Sequence, residues 1–146
     1  MPAPPDLEDF LSRPLFAHLA TASEDGPRES PVWFLWEDGA VWMIAGEKDT
    51  FWRRIAADER CAIGIVDFDV RTGLVQHVGM RGKATIQPWE PDRMRRLLAR
   101  YLGEDADGWP HRFRAAVDDH TNRWVRFVSD STVVRDQSYG DASAVF

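Results

Sequence analysis

Short apolar runs with a period near two dominate this chain, and a helical period interrupts them in four places. Asp6 stands before Leu7, Phe10 and Leu11 as a helix cap, and Pro14 ends that helix. Phe16 to Ala22 then reads as a strand, closed by Glu24-Asp25-Gly26-Pro27. Ser30 to Trp36 is a β-branched and aromatic run that Glu37-Asp38-Gly39 turns back into Ala40 to Ala45, and Asp-Gly between two apolar runs predicts a hairpin. From Thr50 to Glu59 the spacing of Phe51 and Ile55 predicts a short helix.

Strand character returns in Ala62 to Phe68 and, after the polar Asp69 to Gly73, in Leu74 to Gln87. In this long run Val75, His77 and Gly79 alternate with Gln76, Val78 and Met80, and Gly79 and Gly82 predict a bulge or a close backbone approach. Asp92 to Leu102 is the clearest helix, with an apolar stripe of Met94, Leu97, Leu98, Tyr101 and Leu102. Its Arg93, Arg95, Arg96 and Arg100 read as a solvated face beside the acidic Glu104, Asp105 and Asp107. Pro110 to Asp119 forms one more helix, Arg123 to Val128 alternates as an antiparallel strand does, and Thr132-Val133-Val134 is a last short strand.

Six or seven short strands, with a helix crossing between the third and the fourth, predict a mainly β (α+β) fold: a small antiparallel barrel with helices packed outside. Regular βα alternation is missing, which disfavours a parallel sheet. The 146 residues suit one domain, with a lead-in over 1–9 and a tail over 137–146.

Composition narrows the function classes. Lys and Arg total 18 against 24 Asp and Glu, a net charge of −6, so a nucleic-acid partner is not expected. The one cysteine, Cys61, excludes an internal disulfide and a cysteine-based metal cluster, and it reads as a small core residue. No apolar run reaches the roughly 18–20 residues of a membrane span, and the N-terminus lacks a signal-peptide pattern, so a cytoplasmic protein with no membrane partner is expected. Seven tryptophans and eight phenylalanines give modest support to a subunit interface.

There is no phosphate-binding glycine loop, no nucleophile elbow and no metal-ligand spacing, and a chain without such a constellation often takes its chemistry from a bound cofactor. His77 lies mid-strand beside Gly79 and Gly82, where either a ligand contact or a structural hydrogen bond suits it. The region Trp33 to Arg54 runs from an aromatic hairpin into a helix start that carries Lys48, Thr50, Arg53 and Arg54. A helix N-terminus can hold a phosphate, but Asp49 at the cap would compete for the same N–H groups, so an ordinary capped helix is the simpler reading of the residues alone.

Several strings in order resemble the pyridoxamine 5'-phosphate oxidase-like, FMN-binding split-barrel superfamily. They are Phe16-Ala17-His18-Leu19-Ala20-Thr21 with Asp25-Gly26, Ser30-Pro31-Val32-Trp33-Phe34, Arg53 through Arg60, and Val78-Gly79-Met80-Arg81-Gly82-Lys83-Ala84. The resemblance implies a six-stranded antiparallel split barrel that forms a homodimer with FMN at the interface. It places Trp33 and Phe34 along the flavin ring, and Ala45, Gly46, Lys48 and Thr50 at the ring edge and phosphate. Arg53 and Arg54 become candidate phosphate cations; His77 falls where relatives often carry a glutamine in reach of the flavin, and Arg81 shares its strand. The implied activity is hydride transfer through FMN to a small-molecule substrate.

Two departures keep alternatives open. Asp49-Thr50-Phe51 stands where many relatives have Ser-x-Lys, so Lys48 or Arg53 would have to substitute. Phe51-Trp52-Arg53-Arg54-Ile55 is instead similar to a stretch of the deazaflavin-dependent reductases. A deazaflavin reductase and a non-catalytic flavin- or haem-binding barrel are the rival readings.

Overall fold

The computed structural model describes residues 3–140. A short helix α1 (Leu7–Leu11) is capped by the Asp6 carboxylate, which accepts the Asp9 N–H. Strands β1 (Ala17–Thr21), β2 (Arg28–Val32), β3 (Phe34–Glu37) and β4 (Ala40–Ala45) follow. The turn between β3 and β4 has φ of 54° at Asp38 and 69° at Gly39, the two positive values that an Asp-Gly hairpin turn requires. Helix α2 (Phe51–Ala57) crosses to the hairpin of β5 (Arg60–Asp69) and β6 (Leu74–Gln87), and α3 (Pro91–Leu102) and α4 (His111–Val117) precede β7 (Arg123–Asp136).

All seven strands form one antiparallel sheet in the order β2-β1-β5-β6-β7-β4-β3. The run Ser30 to Trp36, expected as one strand, is two. It breaks at Trp33: β2 pairs with β1, while β3 pairs with β4 at the other end of the order. Only one residue separates these two edges in sequence, so the sheet must curl until its edges meet. That curl is the barrel, and closure of this kind protects strand edges that would otherwise stand open.

Two strands expected near the C-terminus are one, β7, whose pairing with β6 shifts register between Arg81 and Gly82. At Gly82 a Cβ would stand 2.0 Å from the Val128 carbonyl oxygen, so the bulge needs glycine there. Residues 137–139 continue along the start of β6, where Gln137 N–H donates to the Val75 carbonyl at 2.8 Å. The rest of the expected tail, from 141, lies outside the described residues.

The barrel interior is filled by Phe10, Leu19, Phe34, Met43, Ile63 and Phe127 among others. A second core lies between the outer side of β3, β4 and β7 and the helices α3 and α4, with Trp89 stacked on Trp124 at 5.0 Å. All seven tryptophans pack into or against these two cores, while Phe16 and Phe68 are exposed at 52% and 57%.

The arginines of α3 are not a simple solvated face. Arg93 lies 3.5 Å over the Trp42 ring and donates to Glu37, and Arg96 makes two hydrogen bonds to the same carboxylate. Arg100 lies 4.5 Å over the Phe34 ring and donates to the Arg13 carbonyl. Partial burial alone would raise the Glu37 pKa; the hydrogen bonds from Arg96 and Arg93 outweigh it and hold it below its ordinary value. Among the described residues no helix is long and apolar enough to cross a membrane.

Candidate functional site

Strand alternation decides which residues of β1, β5 and β6 face outward. Cys61, Ile63 and Ile65 are buried in the barrel, so Ala62 and Gly64 lie on the outer face. The register sets Ala20, Ala62, Arg81 and Ser131 in one row across β1, β5, β6 and β7. The next row is His18, Gly64, Gly79 and Val133.

Two cavities of about 670 and 420 Å³ lie on this face and share Ala20, Ala62, Arg81 and Ser131, so they form one groove. Both volumes fall in the range of small-molecule sites, about 300–1,000 Å³. The floor is made of alanine and glycine and is therefore low and flat.

The glycines set the depth of this floor. A Cβ on Gly79 would stand 3.1 Å from Cε1 of His77, and one on Gly64 would stand 3.9 Å from His77 Nε2. His77 thus lies along the glycine pair, and any larger residue would raise the floor beside it. A planar ring can lie on such a surface in contact with backbone.

The larger cavity carries three cations. Arg60, Arg81 and Lys83 line it, and among the described residues Asp130 is the only carboxylate that does so. Arg60 is paired with Asp58, and Lys83 is 3.9 Å from Glu59, but Arg81 has no carboxylate partner among the described residues. Thr21, also on the lining, accepts a hydrogen bond from Arg54 Nε at 2.8 Å. Desolvation and then the charge of Arg28 press the Arg54 pKa downward, and no carboxylate pairs with it among the described residues. An anion at this end would relieve that repulsion.

Cys61 lines the same cavity, yet burial, followed by the charge of Asp58, pushes its pKa up to about 11. It remains a neutral thiol near pH 7 and is no nucleophile. At the opposite end His18 Nδ1 lies 2.5 Å from Glu29 Oε1.

Of the residues that the sequence nominated, His77 and Arg81 line the groove; Arg54 does not, but it donates to Thr21, which lines the larger cavity. The others lie elsewhere in the chain. Phe34 is fully buried in the barrel and Ala45 fully buried on β4, so neither offers side-chain surface to a ring. Trp33 is stacked on Tyr101 at 4.4 Å and on Phe113 at 5.4 Å, where it packs α3 and α4 against the β2–β3 break.

Gly46 and Lys48 line a pocket of about 290 Å³ with Asp49, Asp119, Thr121 and Asn122. Asp49 does not cap α2: its carboxylate accepts the Gly46 N–H at 2.7 Å and closes its own turn, while Thr50 stands at the helix start and accepts from Arg54 Nη1. Arg53 lies over the Trp52 ring. Sequence reasoning missed the floor residues Ala20, Ala62 and Gly64. Their only signal is a small side chain at alternate strand positions, which points to a site once the strands are set side by side.

A family model described as pyridoxamine 5'-phosphate oxidase matches residues 3–136. No curated protein matches the chain. Among solved structures, a conserved hypothetical protein, Rv2991, from Mycobacterium tuberculosis superposes with a TM-score of 0.70 at 24% identity, over 92% of this chain and 90% of that one. An F420 reductase gives 0.68 at 24% identity, over 90% and 98%. HutZ, a haem storage protein from Vibrio cholerae, gives 0.69 at 11% identity, over 90% and 93%. At these identities the likeness is one of fold.

Proposed function

Because this chain belongs to the pyridoxamine 5'-phosphate oxidase family, we propose that it is an FMN-dependent oxidoreductase that acts on a small molecule as a homodimer. The observation that carries this reading is the outer groove: a floor of Ala20, Ala62, Gly64 and Gly79, with Arg60 and Lys83 at one end and two imidazoles with Arg135 at the other. The floor suits the flat face of a flavin. Arg81, Lys83 and the Arg54–Thr21 pair suit its phosphate.

When bound, a flavin supplies hydride transfer. The chain's own part is to bind and orient. Ala62 and Gly64 keep the floor low enough for close contact, Arg81 and Lys83 hold negative charge, and His77 is in place to donate or accept a hydrogen bond at the ring edge. Val66, Phe68 and Val133 are exposed apolar residues on or beside this face, at 47%, 57% and 41%. A second copy of the barrel would bury them and cover the groove, which is why a homodimer is part of the proposal.

A deazaflavin cofactor is the second reading, supported by the Phe51 to Ile55 string and by the fold shared with an F420 reductase. The titration that tests the proposal also separates the two. Purified protein is stripped of ligand and titrated with FMN, F420 and haemin, following absorbance and protein fluorescence, and light scattering gives the mass. Binding of FMN at micromolar or lower concentration by a dimer supports the proposal. Preference for F420 selects the deazaflavin reading, haemin alone selects a non-catalytic haem binder, and binding of none removes all three.

A further inference from the structure

Resting on the reading of the outer groove as a cofactor and substrate site, we propose that His18 is its proton-transfer group and that Glu29 positions it. His18 is on β1 and Glu29 on β2, and the register pairs His18 with Pro31 and Ala20 with Glu29. Glu29 is therefore the diagonal neighbour of His18 on the same face, within reach of a long side chain. The distance from Nδ1 to Oε1 is 2.5 Å, and the two side chains are 51% and 53% exposed.

An ionised carboxylate can only accept, so Nδ1 carries the hydrogen of this contact. The ring is thereby held in one tautomer, and Nε2 on its opposite side is left to exchange a proton, the arrangement by which a carboxylate orients a catalytic imidazole. His18 lines the smaller cavity with Gly64, Gly79, His77, Arg81 and Arg135. Its cross-strand neighbour on β5 is Gly64, which has no side chain of its own, and the ring of His77 lies beyond it, with Nε2 3.9 Å from where a Gly64 Cβ would stand.

His77 is the competing imidazole. It lies against Gly64 and Gly79, and no carboxylate pairs with it among the described residues. Only His18 has the orienting partner. Arg135, which lines this cavity too, has no carboxylate partner among the described residues, so the cavity suits a substrate that carries an anionic group beside a reacting carbonyl.

The step is a proton transfer. As the carbonyl carbon of a bound substrate accepts the hydride that a reduced flavin would supply, the C=O π pair moves onto oxygen, and the Nε2–H bond of the imidazolium breaks with its electron pair staying on Nε2. An O–H bond forms on the substrate. The half-exposed imidazole then takes a proton back from water.

The test has two parts. In the cofactor-free protein, at a pH where the ring is neutral, nitrogen-15 spectra of labelled histidine should show His18 protonated at Nδ1 with Nε2 free; Glu29→Gln should mix the tautomers and Glu29→Asp should restore one. In the FMN-loaded protein, reduced with dithionite, stopped flow compares a sulfonated naphthoquinone, which takes protons at its carbonyl oxygens, with ferricyanide, which takes electrons alone. For His18→Gln the ratio of the two rates should fall about 100-fold, within the range of general acid catalysis. If FMN and F420 both fail to bind the unaltered protein, the parent reading falls and this proposal with it. If cofactor binds but His18→Gln keeps the ratio within twofold, or the spectra show no fixed tautomer, the proposal alone is overturned.

Discussion

Removing one oxygen atom, in Tyr101→Phe, tests how the chain passes from one sheet edge to the other. The Tyr101 hydroxyl accepts the Phe34 N–H at 3.0 Å and donates to the Leu15 carbonyl at 2.7 Å, while its ring stacks on Trp33 at 4.4 Å. Phenylalanine keeps the stack and loses both hydrogen bonds. Phe34 is fully buried, so its N–H would be left without a partner, at a cost of about 1–3 kcal/mol. Taking the middle of that range, and a melting entropy of about 2.1 cal/mol/K per residue over 146 residues, Tm should fall by about 6 °C. Scanning calorimetry of both proteins at pH 7 reads the shift. Because the hydroxyl is remote from the outer groove, FMN affinity should change by less than twofold. A Tm within 1 °C of the unaltered protein would refute the reasoning, since water or the neighbouring carbonyls would then satisfy Phe34 without help from α3.

Gly64→Leu should leave Tm nearly unchanged, since a Cβ there meets only His77 Nε2 at 3.9 Å, and should weaken FMN binding at least 100-fold, about 2.8 kcal/mol, by filling the floor. Retention of FMN by this variant, measured by fluorescence titration, would remove the groove as the ring site. Arg54→Gln should lower the preference for FMN over riboflavin at least tenfold, since only the phosphate distinguishes the two; an unchanged ratio places the phosphate elsewhere. In acid, Glu37 contributes through its lowered pKa: the contribution is complete above its ordinary value of 4.5 and is lost as pH falls through the folded-state value. Tm recorded from pH 7 to pH 3 should therefore fall less steeply for Glu37→Gln than for the unaltered protein, and parallel curves would show that the ion pairs with Arg93 and Arg96 contribute nothing.

What could be read from the chain alone was local. The Asp38-Gly39 turn, the alternation of Leu74 to Gln87 and the stripe of α3 are each specified by residues within about a dozen positions of one another, where backbone preference and periodicity act directly. The family strings added the barrel and the expectation of a flavin. Which strands lie side by side was decided only by the closed sheet. The break at Trp33 depends on Tyr101, 68 positions away, and the arginines of α3 became fasteners because Glu37 and Trp42 lie under them. The groove was invisible for the same reason: Ala20, Ala62, Gly64 and Gly79 are unremarkable in their own strands, and a floor exists only where the register of β1, β5 and β6 brings them together.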